Sequence, residues 1–150
     1  MKNNLYLLQT ENSNNFIKNA NKLIETIDDY MNTFDKKDLL SFSNSKENAK
    51  KYKENYFSFL LTLSPIISEL SSCGAELASL TVKSDNAIQT DITIECEKRF
   101  NAFEKFEKDL YEYTENIENA FTASNISAVF LLNAAQKLKN STLELINVCT

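Results

Sequence analysis

The chain has 150 residues, a formal net charge of −5, one Gly, one Pro, three Cys and no His. That length can bury a core without disulfide or metal staples, and so few Gly and Pro leave too few turn formers for a sheet protein. Without His there are no imidazole-based triads and no His–carboxylate di-iron sites, and the acidic balance lacks the basic stripe of a nucleic-acid binder.

These limits predict one all-helical domain over residues 1–150. The charge is uneven along it: residues 1–55 hold nine Lys against eight acids, while the acidic excess sits between Asp91 and Glu118. Upstream, MKNNLYLLQTENSNN contains an apolar run of only four residues, too short for the core of a signal peptide. The apolar stretch 56–67 is also shorter than the ~18 residues needed to span a bilayer. An odd cysteine number fits a reducing compartment better than a disulfide framework. The expectation is a cytoplasmic protein with no membrane span, leaderless secretion remaining open.

The first predicted helix covers residues 3–34. Phe16, Leu23 and Tyr30, then Ile17, Ile24 and Met31, then Ala20, Ile27 and Phe34 form three columns seven apart, a wide apolar face at helical period. Leu5 to Leu8 precede a polar ENSNN, and a continuous helix is preferred to a separate flap. Leu39, Leu40 and Phe42 fall in the connection, expected to fold over the bundle end. Asn44 with Glu47 reads as a capping box.

The second predicted helix, 45–82, is the most distinctive stretch. Between residues 56 and 82 the only charges are Glu69 and Glu76. Apolar or small residues at 52, 56, 59, 63, 66, 70, 73, 77 and 80 keep their phase across Pro65, which predicts one helix kinked there rather than two helices. Asn55, Thr62, Glu69, Glu76 and Lys83 form its wet column. Ser84 or Asp85 caps the third helix, 86–121, whose stripe is Ile88, Ile92, Cys96, Phe103, Phe106, Leu110, Tyr113 and Ile117, flanked by Phe100 and Phe121. The fourth, 125–149, presents Ala128, Leu131, Ala135, Leu138, Thr142, Leu145 and Cys149. Short connections make neighbours antiparallel, so the predicted fold is an up-down-up-down four-helix bundle, with an extended dimer of hairpins as the alternative assembly.

Lining such helices up by level places Cys73 beside Glu95 and Cys96, and Cys96 beside Cys149. This layer reads either as a thiol site, for a soft metal with Glu95 as fourth ligand or for a redox pair, or as three small core hydrophobes. Core packing is preferred, because free Cys is often buried and no CxxC or His accompanies it; no metal or cofactor is expected. The same alignment sets Lys46, Lys50 and Lys53 opposite Glu118, Glu115 and Glu112, read as interhelical charge pairs in preference to a basic patch. Gly74, among Ser71, Ser72, Cys73, Ala75 and Ala78, implies close helix packing, since a mid-helix Gly costs ~1 kcal/mol. Tyr111 to Glu115 fits a Y-x-x-x-[DE] pattern that resembles the export signal of type VII secretion substrates; the Trp-x-Gly turn of those substrates is absent, as the chain has no Trp.

Phe57, Leu61 and Tyr111 fall off their helices' main stripes. Exposed, they form an apolar patch suited to a partner; enclosed, they are core. The functional expectation is a non-catalytic protein–protein interaction module, such as an adaptor or assembly subunit. Its partner would be another protein, with a second copy of the chain as one candidate, and not nucleic acid. The alternative is a ligand-binding or sensory bundle with a small-molecule site near the Pro65 kink. A Cys-layer metal or redox protein is the weakest reading.

Overall fold

The computed structural model describes the backbone of residues 2–35, 46–85, 91–122 and 127–149, and within these the side chains of 11–35, 50–79, 94–122 and 127–149. The described residues form four helices and no strand: α1 (Lys2–Met31), α2 (Lys46–Asp85), α3 (Asp91–Thr122) and α4 (Ala128–Cys149). The fold is an all-α four-helix bundle. Packing runs in a ring, α1 on α2, α2 on α3, α3 on α4 and α4 on α1, with α1 and α3 touching across the middle.

The chain through ENSNN is helical, so α1 is continuous from Lys2. It stops at Met31, three residues short of the expected end, in a turn where Thr33 N–H donates to the Tyr30 carbonyl. Helix α2 runs unbroken through Pro65, as the unreset apolar phase required. Helix α4 begins later than expected because Ser127 caps it: its Oγ accepts from the Phe130 N–H at 3.1 Å. The expected contacts of Leu39, Leu40 and Phe42, the Asn44–Glu47 box and the Ser84 or Asp85 cap lie outside the described residues. So do the side chains of Leu5 to Leu8, Leu80, Lys83, Ile88 and Ile92.

The apolar stripes became the core. Every expected α4 stripe residue is buried, and so are Phe16, Ala20, Leu23, Ile27 and Tyr30 of α1. Thr142 is tolerated there because its hydroxyl donates to the Leu138 carbonyl at 2.8 Å. One end of the bundle is aromatic. Tyr30 stacks on Phe59 with centroids 4.1 Å apart, and Phe59 and Tyr56 both meet Tyr113 edge-on. Small Ala128 and Ala135 on α4 join the same core, where large rings from three helices need a thin fourth partner.

The other end is mixed. Asn12, buried in the middle of the polar ENSNN, donates from Nδ2 to the Cys73 carbonyl and to Glu76 Oε2, each at 2.9 Å. Gly74 lies against Phe103, whose ring packs edge-on to Phe16 at 5.6 Å. Contacts order the helices directly. Tyr30 meets Phe59 while Asn12 meets Cys73, so α1 and α2 run antiparallel. Lys105 pairs with Glu144 and Asp109 with Ser141, so α3 and α4 do too.

Register departs from the sequence-level alignment. Because Gly74 meets Phe103, Cys73 sits about two helical turns, ~10 Å, along α3 from the level of Cys96. The Lys105–Glu144 and Asp109–Ser141 contacts shift the α3–α4 pairing by about one turn in the same way.

Candidate functional site

The register shift bears first on the cysteines. Cys73, Cys96 and Cys149 are free and buried, but Cys73 does not face Cys96 as expected. Among the described residues no group of three or more Cys, Asp or Glu side chains could hold a metal ion. Burial pushes the Cys73 thiol up to about 11, with Glu76 and Glu69 adding to the effect. Burial also raises Cys96 and Cys149, and Arg99 beside them offsets this only in part. These are protonated, unreactive thiols at neutral pH. Glu95, the expected fourth ligand, instead lies 3.7 Å from Arg99 Nη2 on its own helix.

Among the described residues the expected lysine–glutamate ladder is not formed. No ion pair within 4.0 Å joins Lys50 or Lys53 to Glu112, Glu115 or Glu118, and the Lys46 side chain lies outside the described residues. Interhelical pairs among the described residues include Lys139–Asp28 at 2.8 Å and Lys105–Glu144 at 2.6 Å, both partly or wholly exposed. Gly74 does mark a close approach, the expected one, with an aromatic ring filling the space a side chain would take.

The three off-stripe residues are on the surface. Phe57 is 53 % exposed, Leu61 77 % and Tyr111 67 %. Phe57 and Leu61 are four apart and share a helix face, which Ser64, Ser68, Ser71, Ala75 and Ser79 continue at spacings of three and four. All seven are exposed, and none carries a charge. Glu69 and Glu76 lie off this row, and Glu76 faces α1, where Asn12 holds it. The outer face of α2 is therefore charge-free over its central five turns or so, with large residues before Pro65 and small ones after. By length and composition Lys50–Ser79 is also long and apolar enough to cross a membrane. Its opposite side, however, supplies Tyr52, Tyr56, Phe59, Leu63, Leu70, Cys73 and Leu77 to the core.

Tyr111 stands on α3 nearer the later part of this row. A groove of about 250 Å³ between α2 and α3 has Ile67, Leu70 and Ser71 on one wall and Phe103, Phe106, Glu107, Leu110 and Tyr111 on the other. Ser71 thus ties the uncharged row of α2 to the groove. Along α3 the rim is acidic: Glu97, Glu104, Glu107, Glu115 and Glu118 fall in one row with Tyr111 and Phe100 at spacings of three and four, and all five carboxylates are exposed. This row was missed at the sequence level, although its spacing is plain in EKRFNAFEKFEKDLYEYTENIE. It was hidden by the stronger apolar stripe beside it. The chain matches no family model, no curated protein and no solved structure.

Proposed function

We propose that this chain is a non-catalytic helical module that binds another protein through the outer face of α2 and the groove it forms with α3. One observation carries the reading. Phe57 and Leu61, large apolar residues with half or most of their surface in water, open a row on α2 that carries no charge as far as Ser79, and exposed Tyr111 stands on the neighbouring α3 at the groove that this row borders. Single exposed apolar residues are ordinary; a contiguous set rimmed by polar residues marks an interaction surface. Aromatic anchors beside a groove are what a hot spot needs. The compartment we assign is the cytoplasm, and the occupant a protein rather than a bilayer or nucleic acid.

The test is affinity capture from cells that make the protein, using the natural chain beside Phe57→Asp and Leu61→Asp, with circular dichroism confirming both variants folded. Partners held by the natural chain and lost by both variants support the reading. Partners held equally by all three chains sink it.

The ligand-binding alternative has one observation in its favour. A cleft of about 270 Å³ between α1 and α2, lined by Tyr30 and Phe59, also includes Thr62, Asn55 and Ser58, close to Pro65 in sequence. A fragment screen by NMR separates the two: shifts clustering on Thr26, Asn55 and Thr62 favour a small molecule, while a silent cleft removes it.

A further inference from the structure

We infer that the occupant of the α2–α3 face is an amphipathic helix carrying Lys or Arg along one flank. This deepens the interaction reading above and rests on it. The seam lies between two complete helices, so it offers no unpaired backbone edge for strand addition. Its apolar floor with Tyr111 at the rim, and Phe57 and Leu61 protruding farther along the α2 row, match the helix-in-groove mode of recognition. Ser64, Ser68, Ser71 and Ala75 keep the α2 side low, which lets a third helix axis come close.

Charge then selects the partner. From Phe57 to Ser79 the α2 row contributes no charge, Lys50 and Lys53 standing beyond its end, while the α3 side presents five exposed carboxylates in the row of Tyr111. The basic residues of α3 do not answer them. Lys98 and Lys105 line the opposite groove, toward α4, and Lys105 is held there by Glu144. Lys108 sits one residue beyond Glu107, on the outer shoulder away from α2. A helix docked with its apolar side down therefore meets neutral surface on one edge and acidic surface on the other, so a basic flank fixes its orientation. A second copy is the poorer occupant, since its own face brings the same five carboxylates and only two cations, Lys50 and Lys53 at the end beyond Phe57. An anionic lipid surface fails for the same reason.

The experiment is selection from a display library against the full chain. The library holds helices of about 20 residues, ~30 Å long, with four Leu fixed on one face and flank positions varied among Lys, Glu and Gln. The expected result is enrichment of clones with Lys on one flank. Those clones should bind at least about tenfold more weakly to Glu104→Lys/Glu107→Lys, weaken as salt rises, and lose binding to Leu61→Asp. Enrichment of Gln or Glu flanks, no enrichment at all, or indifference to the double charge swap overturns the proposal. Clones lost on Leu61→Asp but indifferent to charge overturn the basic occupant while leaving the interaction reading in place. Clones indifferent to Leu61→Asp overturn both. Co-sedimentation with phosphatidylserine vesicles, or a dimer by light scattering that Leu61→Asp dissolves, also overturns it in favour of a membrane or a second copy.

Discussion

Replacing Gly74 with Ala sets two effects of known sign against each other. Helix propensity favours Ala by ~1 kcal/mol at a mid-helix position. The added Cβ, however, would fall on Phe103 Cε1 and lie 2.5 Å from its Cδ1 and 2.9 Å from its Cζ. Phe103 is buried and braced by Phe16, so its ring has little room to swing away. Overpacking of this kind costs ~1–3 kcal/mol, and the braced ring argues for the upper half of that range. The expected net is a loss of about 1–2 kcal/mol. In a Phe103→Leu background the obstruction goes and the propensity remains, so Gly74→Ala should stabilise by about 0.5–1 kcal/mol. Urea unfolding followed by far-ultraviolet circular dichroism on the four chains of this double-mutant cycle measures both numbers. Equal effects of Gly74→Ala in the two backgrounds, or a gain in the natural one, would refute the close approach.

Leu61→Asp should change stability by less than about 1 kcal/mol, whereas Leu63→Asp, two residues on but buried, should cost more than about 4 kcal/mol or prevent folding; similar losses in both would show that Leu61 is not on the surface. Asn12→Leu should leave stability within about 1 kcal/mol, because the Cys73 carbonyl lies within a helix and Glu76 is exposed to water; a melt more than about 3 kcal/mol weaker would make Asn12 a structural linchpin. Stability should hold steady up to about pH 9 and then fall. Burial raises Cys73 from 9.0 to about 11 and Tyr56 from 10.0 to about 12, and raises Tyr30 and Tyr113 as well. The unfolded chain therefore releases these protons first, and alkali favours it. Thermal melts across that range, with residue-resolved NMR of tyrosine ionisation as the monitor, should show Tyr30, Tyr56 and Tyr113 ionising together with unfolding; any of these three titrating near 10 in the folded protein would contradict its burial.

Periodicity made the helices legible because burial on one side of a helix imposes it directly. The Ala128-to-Cys149 stripe was readable residue by residue, and an unbroken phase was enough to carry α2 through Pro65. Register was not readable in this way. It depends on how far each connection climbs, which composition does not encode, and the close approach of Gly74 to Phe103 set it differently from a simple fold-back at the turns. The candidate face was ambiguous for another reason. An uncharged helix is equally consistent with enclosure on all sides and with one side left open, and only the packing of α1 and α3 against one side of α2 decides between them. Buried Asn12 escaped because ENSNN reads as polar surface, although its amide reaches across to the α2 backbone.

Pro65 lies on the open side of α2, among the exposed residues. A proline has no N–H to give the carbonyl four residues earlier, which here belongs to Leu61. On the core side that oxygen would be dry, a loss of ~1–3 kcal/mol; where it stands, water satisfies it at little cost. The helix thus keeps one backbone acceptor free at its midpoint, next to its most protruding leucine. On a face otherwise made of hydrocarbon and hydroxyls, that oxygen is a fixed point for reading the position of whatever lies across it.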